Sequence, residues 1–319
     1  LNLKYHNRYN YTGGISSILV RDLNSSINDI SDIFSNRVIQ SWNFKWTHNQ
    51  TIDPSQRFNF NINYVSRNDF YQQDQVGYDI DTRLNQTLFS SLNYNKSWFN
   101  TNNSLSIHMS DSYNLLIESM ELTTNDIPSF YRTYTIPSVQ FSHGSRLLFG
   151  NGPRWYNSIY YSFKSDLKVI QRDGNILYND IPQDTISYQN GVNHRFSLSS
   201  SQKIFKYINI TPSMHFLESW IYGYKEPEKD VEGIFIDNEY DYRDSFKRRF
   251  TGEISFNMNT KLYGILSAKL FNLRAVRHII SPSIKYSYRP DFSKSEIFGF
   301  DIYYISVDSN GDIYDYFQS

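Results

Sequence analysis

Few residues in this chain are spaced for bond chemistry. Seven histidines, His6, His48, His108, His143, His194, His215 and His278, stand singly, with none of the HExxH or paired spacings that hold zinc. The 319 residues include no cysteine, so there is no thiol nucleophile, thiolate metal site or disulfide framework. Asp308-Ser309-Asn310-Gly311-Asp312 opens like a calcium loop but lacks the distal glutamate of an EF-hand; it reads as a hairpin turn. Gly150-Asn151-Gly152-Pro153 reads as a turn and not a phosphate cradle, and no GxSxG, Walker or dinucleotide fingerprint occurs. Sequons such as Asn49-Gln50-Thr51 are expected by chance in so Asn-rich a chain. A pair of carboxylates inside a barrel could hydrolyse a bond, yet nothing selects one. The expectation is no enzyme, no metal and no cofactor.

The chemistry the pattern does support is neutral hydrogen bonding from one face of a strand. Asn59, Asn61 and Asn63 alternate with Phe58, Phe60, Ile62 and Tyr64, and a period of two puts the sets on opposite faces. Likewise Tyr156, Ser158, Tyr160 and Ser162 oppose Trp155, Ile159 and Tyr161. If the apolar sets face lipid, then Asn59, Asn61, Asn63, Tyr156, Ser158 and Tyr160 face a lumen whose amides and hydroxyls suit sugar hydroxyls. The plainer alternative is a hydrated wall with no ligand.

The elements that must position these residues are read best from Phe271 to Phe292. From Val276 onward, Val276, Ile280, Ile284, Tyr286 and Tyr288 share one face, and Arg277, Ser281, Ser283, Lys285 and Ser287 the other. The run exceeds a usual soluble strand and reaches the roughly nine to eleven residues of a tilted bilayer crossing. Pro282 interrupts it and Pro290 closes it; a proline deletes one ladder donor. Taken alone, the stretch fits a soluble barrel or sandwich equally well.

Composition narrows the choice. There are 27 Tyr and 23 Phe at a mean hydropathy of −0.56, with no run of about twenty apolar residues to make a membrane helix. Many aromatics at low hydropathy are what a membrane barrel gives, because only alternate residues meet lipid. With 31 basic and 32 acidic residues, no global field points to nucleic acid.

Along the chain, alternating strands are predicted at Leu1–Tyr11, Val38–His48, Arg57–Ser66, Thr87–Trp98, Ser104–Ser112, Tyr131–Ser142, Trp155–Val169, Tyr188–Gln202, Tyr207–Tyr222, Arg248–Tyr263 and the 271–292 stretch. A further one is expected at Phe300–Val307, and a short helix near Ile27–Phe34. Thr12-Gly13-Gly14 begins a link, Asp173-Gly174 lies in a loop, and Gly223–Lys247 is a charged loop. Links after the first, third, fifth, seventh and ninth strands run roughly 18 to 26 residues and the others roughly 4 to 12, the long-loop, short-turn asymmetry of an outer-membrane barrel. The fold expected is all-β: an antiparallel transmembrane β-barrel, partial, with about 11–13 strands of a larger barrel. Residues 1–319 are then part of one barrel domain, cut from a longer secreted precursor.

A Pro-Ser pattern recurs at Ile136-Pro137-Ser138-Val139-Gln140-Phe141, Thr211-Pro212-Ser213-Met214-His215-Phe216 and Ser281-Pro282-Ser283-Ile284-Lys285-Tyr286. The run Arg277-His278-Ile279-Ile280, then Pro282-x-x-x-Tyr286-x-Tyr288-x-Pro290, resembles the mid-barrel motif of LptD, the outer-membrane lipopolysaccharide-assembly family. Arg83-Leu84-Asn85-Gln86, Thr135–Ser142 and Arg154–Ser162 look like barrel strands of its divergent members. The resemblance covers about Asn36 to Phe292 and is carried by the set rather than by any one motif.

What it implies is a very large barrel of the Gram-negative outer membrane. Such a barrel receives lipopolysaccharide from periplasmic bridge proteins and releases it sideways through a seam between first and last strands, aided by an LptE-like lipoprotein plug. The family's N-terminal periplasmic domain, final strands and cysteines are not in this sequence. Family gate prolines lie in the earliest strands, so Pro137, Pro212 and Pro282 are not assigned to the gate. Alternatives are another outer-membrane channel (a porin or fatty-acid transporter, marked by a charged segment folded into the lumen), a barrel enzyme, or a soluble adhesin-like β protein.

Overall fold

The computed structural model describes residues 1–23, 38–67, 70, 86–119, 128–178, 181–266, 276–292 and 305–317. Alternation becomes strand nearly throughout. In chain order these are β1 (Asn2–Asn7), β2 (Tyr11–Leu23), β3 (Val38–Asp53), β4 (Gln56–Val65), β5 (Thr87–Trp98), β6 (Asn103–Asn114), β7 (Ser129–Leu147), β8 (Ile159–Tyr178) and β9 (Ile181–Ser200). Then come β10 (Gln202–Ile204), β11 (Ile208–Lys229), β12 (Phe235–Thr260), β13 (Leu262–Leu266), β14 (Val276–Ile280), β15 (Ser283–Tyr288), β16 (Ile305–Val307) and β17 (Ile313–Asp315). Among the described residues a five-residue helix α1 (Leu115–Ser119) and a 3-10 turn at Trp155–Ser158 are helical.

Thirteen strands form one sheet in the order β1-β2-β3-β4-β5-β6-β7-β8-β9-β11-β12-β15, with β10 beside β11; β13–β14 and β16–β17 are separate pairs. Nearest-neighbour antiparallel pairing is what a meander of membrane strands requires, and the fold class is all-β of that kind. The chain divides into two units. One holds Leu1–Phe99, Ser104–Gln140 and Leu167–Asn190; the other holds Asn100–Asn103, Phe141–Asp166 and Gly191–Ser319.

In the first unit, β1 to β5 pair in register. A small buried cluster of Val20, Val65, Phe70, Leu88 and Leu115 lies where the long connections leave the strands. Elsewhere large apolar side chains stay uncovered, Leu3, Trp42 and Tyr64 among them. In the second unit, Ile284 is 60% exposed, Tyr286 64% and Tyr288 52%. Such apolar exposure is uncommon on a monomeric soluble protein and fits a sheet face turned to lipid.

Several expectations are corrected. The first strand is a hairpin: Tyr9 has φ 70° and turns the chain, so Thr12-Gly13-Gly14 lies within β2 rather than in a link. Glycine is required at 13 because a Cβ there would stand 2.1 Å from the Tyr5 hydroxyl. Strand β8 starts at Ile159, after the 3-10 turn, and runs through Asp173-Gly174 to Tyr178; Gly174 fits there because a Cβ would stand 2.4 Å from the Ser129 carbonyl. The charged segment 223–247 is mostly β-hairpin, since β11 and β12 reach 22 and 26 residues around a turn at 230–234. Those lengths are about twice the roughly nine to eleven residues of a bilayer crossing. Two of the expected long loops, after the seventh and ninth predicted strands, are therefore strand extensions.

Of the stretch 271–292, the part described from Val276 is interrupted once and keeps its register across the break. Ser281-Pro282 splits it: β14 pairs with β13, while β15 pairs with β12. Pro282 has no N–H to continue the ladder, though its carbonyl still accepts from Thr260 N at 3.2 Å. The predicted helix at 27–34 and residues 300–304 lie outside the described residues.

Candidate functional site: a polar strand face and its rim

Register sorts the side chains of the first unit into rows. On one face run Leu3–Ile15–Trp46–Ile62 and Tyr5–Gly13–His48–Phe60–Leu92; on the other run Lys4–Gly14–Thr47–Asn61–Ser91, Asn2–Ser16–Lys45–Asn63 and His6–Thr12–Asn49–Asn59–Asn93. The apolar rows are knitted by rings: Trp46 meets Phe60 edge-on at 4.7 Å and His48 stacks on Phe60 at 5.2 Å. The His48 ring nitrogen is satisfied by the Tyr5 hydroxyl at 2.8 Å, and Trp46 Nε1 donates to the same oxygen at 2.9 Å.

Asn59, Asn61 and Asn63 sit together on the polar face. Asn61 Nδ2 donates to the Phe89 carbonyl at 3.0 Å. The backbone N–H of Asn63 donates to Ser90 Oγ at 3.0 Å, and its side-chain oxygen is buried without a partner among the described residues. Asn59 lines a groove of about 420 Å³ with Thr12, Asn49 and Arg57.

The second unit repeats the division. Leu198–Met214–Ile254–Tyr288, Pro212–Phe256–Tyr286 and Ile210–Met258–Ile284 form apolar rows. Opposite them lie Ser199–Ser213–Ser255–Ser287, Thr211–Asn257–Lys285 and Asn209–Asn259–Ser283. Four serines cross four strands, Ser213 and Ser255 joined through their hydroxyls at 2.7 Å, and Asn209 donates to Asn259 at 3.0 Å. Sequence reading missed this wall, although Asn209-x-Thr211-x-Ser213 and Ser255-x-Asn257-x-Asn259 carry the same alternation as Asn59 to Asn63. On the same face, Arg195 pairs with Asp166 at 3.0 Å and Ser197 with His215 at 3.0 Å.

The three residues predicted from 155–162 are brought to one place, but not on one strand. Tyr160 is in β8; Tyr156 and Ser158 belong to the preceding 3-10 turn, so alternation does not assign their faces. Ser158 and Tyr160 line a cleft of about 470 Å³ with Leu147, Arg154, Trp155 and Gln202. The Tyr156 hydroxyl accepts from Arg154 Nη1 at 2.7 Å. Ser158 Oγ donates to the Trp155 carbonyl at 2.8 Å and meets Ser200 Oγ at 2.9 Å. Gln202, invisible as a site residue in sequence because it arrives from the β9–β11 connection, donates to Trp155 O at 2.7 Å and also contacts Ser158.

Of the motif residues, Tyr286 and Tyr288 lie on the apolar face, opposite Phe256 and Ile254. Arg277 in β14 lies over the Tyr263 ring at 4.8 Å, and His278 pairs with Gly264. Pro282 marks the β14–β15 break and Pro290 follows the end of β15. They form no single cluster, and their spacing reflects sheet architecture.

Hairpin β16–β17 also packs on the polar face of the second unit. Arg249 forms an ion pair with Asp315 and lies over Phe317 at 4.3 Å. Lys247 sits between the rings of Tyr316 and Tyr224, at 4.3 and 4.6 Å. Gly223, at φ 77°, permits the bulge between Tyr222 and Tyr224 that turns Tyr224 toward this hairpin. Asp308 closes the β16–β17 turn: burial raises its pKa, and backbone N–H groups of Asp312, Phe235, Asn310 and Gly311 outweigh that and hold it below 3.8.

Among the described residues no group of three or more His, Cys, Asp or Glu side chains could hold a metal ion. The arrangement offers neutral hydrogen bonds along a wall, a few paired charges, and an apolar opposite face. A family model described as LptD protein matches the sequence over residues 1–319. No curated protein matches it.

Proposed function

Because the chain belongs to the LptD protein family of lipopolysaccharide assembly, we propose that its polar strand face lines the route by which lipopolysaccharide crosses to the outer leaflet of the outer membrane. The observation that carries this reading is the two-faced register. Asn, Ser and Thr rows run across β1 to β5 and across β9, β11, β12 and β15, each backed by an apolar row. Lipopolysaccharide has the same division, a hydroxyl-rich saccharide joined to acyl chains. The saccharide is matched by Asn59, Asn61, Asn63 and the serine row, the acyl chains by the lipid beyond the other face. Mechanism here is a path and a lateral exit, with no bond made or broken. A lipoprotein plug of the LptE kind and periplasmic bridge proteins are the partners this reading expects.

The test is depletion of the full-length protein in living cells while new lipopolysaccharide is pulse-labelled. Label retained in the inner membrane supports the reading; label reaching the surface at the normal rate refutes it. One observation favours a second reading, a general channel narrowed from inside: the charged hairpin β16–β17 lies on the polar face, against Lys247 and Arg249. Single-channel conductance that rises on deleting 305–317, with lipopolysaccharide delivery intact in depleted cells, would select that reading.

A further inference from the structure

We propose that the cleft between the β7–β8 connection and the β9–β11 connection is a docking site for an anionic saccharide, a sugar carrying phosphate or carboxylate. The proposal rests on the lipopolysaccharide reading and gives that route an entry point. The connection from 148 to 158 is held as a rigid frame: Asn157 Nδ2 donates to the carbonyls of Phe149 (3.1 Å) and Gly150 (3.0 Å), while its Oδ1 accepts from Arg154 N at 3.3 Å. Gln202 ties that frame to the neighbouring connection through Trp155 O. The frame leaves its functional groups unspent.

Arg154 uses Nη1 on the Tyr156 hydroxyl and has no ion pair among the described residues. Its remaining N–H groups form the planar fork that recognises phosphate or carboxylate. Trp155 is 70% exposed, a flat apolar surface of the kind that packs on the C–H face of a sugar ring. Tyr160 adds a hydroxyl on the face that β8 shares with Lys164 and Asp166, by alternation along the strand. A guanidinium, an indole face and a phenol around about 470 Å³ match a charged monosaccharide or disaccharide. A porin-like wall has no need of an arginine that lacks an ion pair among the described residues beside an uncovered tryptophan. The competing role for Trp155 is an anchor in the membrane interface, and the experiment separates the two.

Full-length protein in detergent would be titrated calorimetrically with three probes: deacylated, phosphorylated lipopolysaccharide oligosaccharide, the same oligosaccharide dephosphorylated, and inorganic phosphate. In parallel, a photoreactive amino acid would replace Trp155 in living cells. Arg154→Gln should weaken the phosphorylated probe tenfold or more and leave the dephosphorylated one unchanged, and Trp155→Ala should weaken both. Light should join position 155 to lipopolysaccharide. Unchanged binding in both variants, binding of inorganic phosphate alone, or adducts only with phospholipid would overturn the proposal. If those failures came with lipopolysaccharide still arriving at the surface through this protein, the cleft alone would be refuted. Loss of arrival-dependence as well would remove the transport reading beneath it.

Discussion

Ile62 and Asn61 are adjacent in β4 and face opposite ways, so a matched pair of substitutions to arginine isolates the effect of the face. Ile62 lies in the row Leu3–Ile15–Trp46–Ile62, beside the edge-on pair of Trp46 and Phe60. At about 3.4 Å per residue it is roughly 7 Å along the strand from Tyr64 and roughly 14 Å from Phe58, inside the aromatic ends of the apolar face. An arginine there must take its charge into hydrocarbon or bend toward an interface, a cost of about 2–4 kcal/mol near the midplane. Asn61→Arg loses one exposed hydrogen bond, to Phe89 O, of about 1 kcal/mol or less, and keeps its charge in water beside Thr47 and Ser91. The difference of about 2 kcal/mol is roughly thirtyfold in the folding equilibrium. The assay is guanidinium titration of the full-length protein in phospholipid vesicles, the folded fraction read from heat-modifiable migration. Equal destabilisation by the two substitutions, or a larger loss for Asn61→Arg, would refute the assignment of faces.

Other consequences can be checked in the same preparation. Gly13→Ala places a methyl on the Tyr5 ring and breaks its bonds to His48 and Trp46, costing about 1–3 kcal/mol as other overpacked sites do; Gly14→Ala, whose nearest contact is 3.5 Å, should be tolerated. Asp53, in the β3–β4 turn, has its pKa held below 3.8 by hydrogen bonds from the Ser55 hydroxyl, the Ser55 N–H and Gln56. A depressed carboxylate contributes stability above its unfolded pKa and loses it as pH falls through the folded one. The stability gap between wild type and Asp53→Asn should therefore be present at pH 6 and shrink on acidification below pH 4; a gap that widens there would contradict the turn geometry. Arg249→Met leaves Asp315, a carboxylate 13% exposed, without its guanidinium. Limited proteolysis should then cleave 305–317 about tenfold faster, since unpairing a buried charge is strongly destabilising; unchanged cleavage would mean that other contacts, such as Lys229 Nζ to the Val307 carbonyl and the ring contacts, hold the hairpin without this ion pair.

How much of this was legible in sequence depended on what each segment packs against. Strand β5 falls at Thr87–Trp98 as predicted, because its backbone is carried by ladder pairing with β4, although Leu88 enters the buried cluster with Val20 and Leu115. The faces of β4 and β15 were readable for the same reason. Only the far half of hairpin β11–β12, 223–247, was read as a loop, because its charges resemble loop composition, yet strand pairing continues wherever backbone partners exist, irrespective of side-chain polarity. The interruption at Pro282 could be suspected from its missing donor, and pairing resumes beyond it in the same register, Leu262 opposite Ile280 and Asn259 opposite Ser283. The cleft was only half visible: Tyr156, Ser158 and Tyr160 stood out, whereas Arg154 and Gln202 acquire meaning only when two connections meet.

The central claim is that lipopolysaccharide passes along the polar face. A photoreactive amino acid placed at Asn61 and, in a separate strain, at Ile62 of the full-length protein tests it in living cells. The account predicts lipopolysaccharide adducts at 61 that vanish when the periplasmic bridge is de-energised, and phospholipid or no adduct at 62. A folded barrel giving no lipopolysaccharide adduct at 61, nor at Asn59, Asn63 or Ser213, would contradict it.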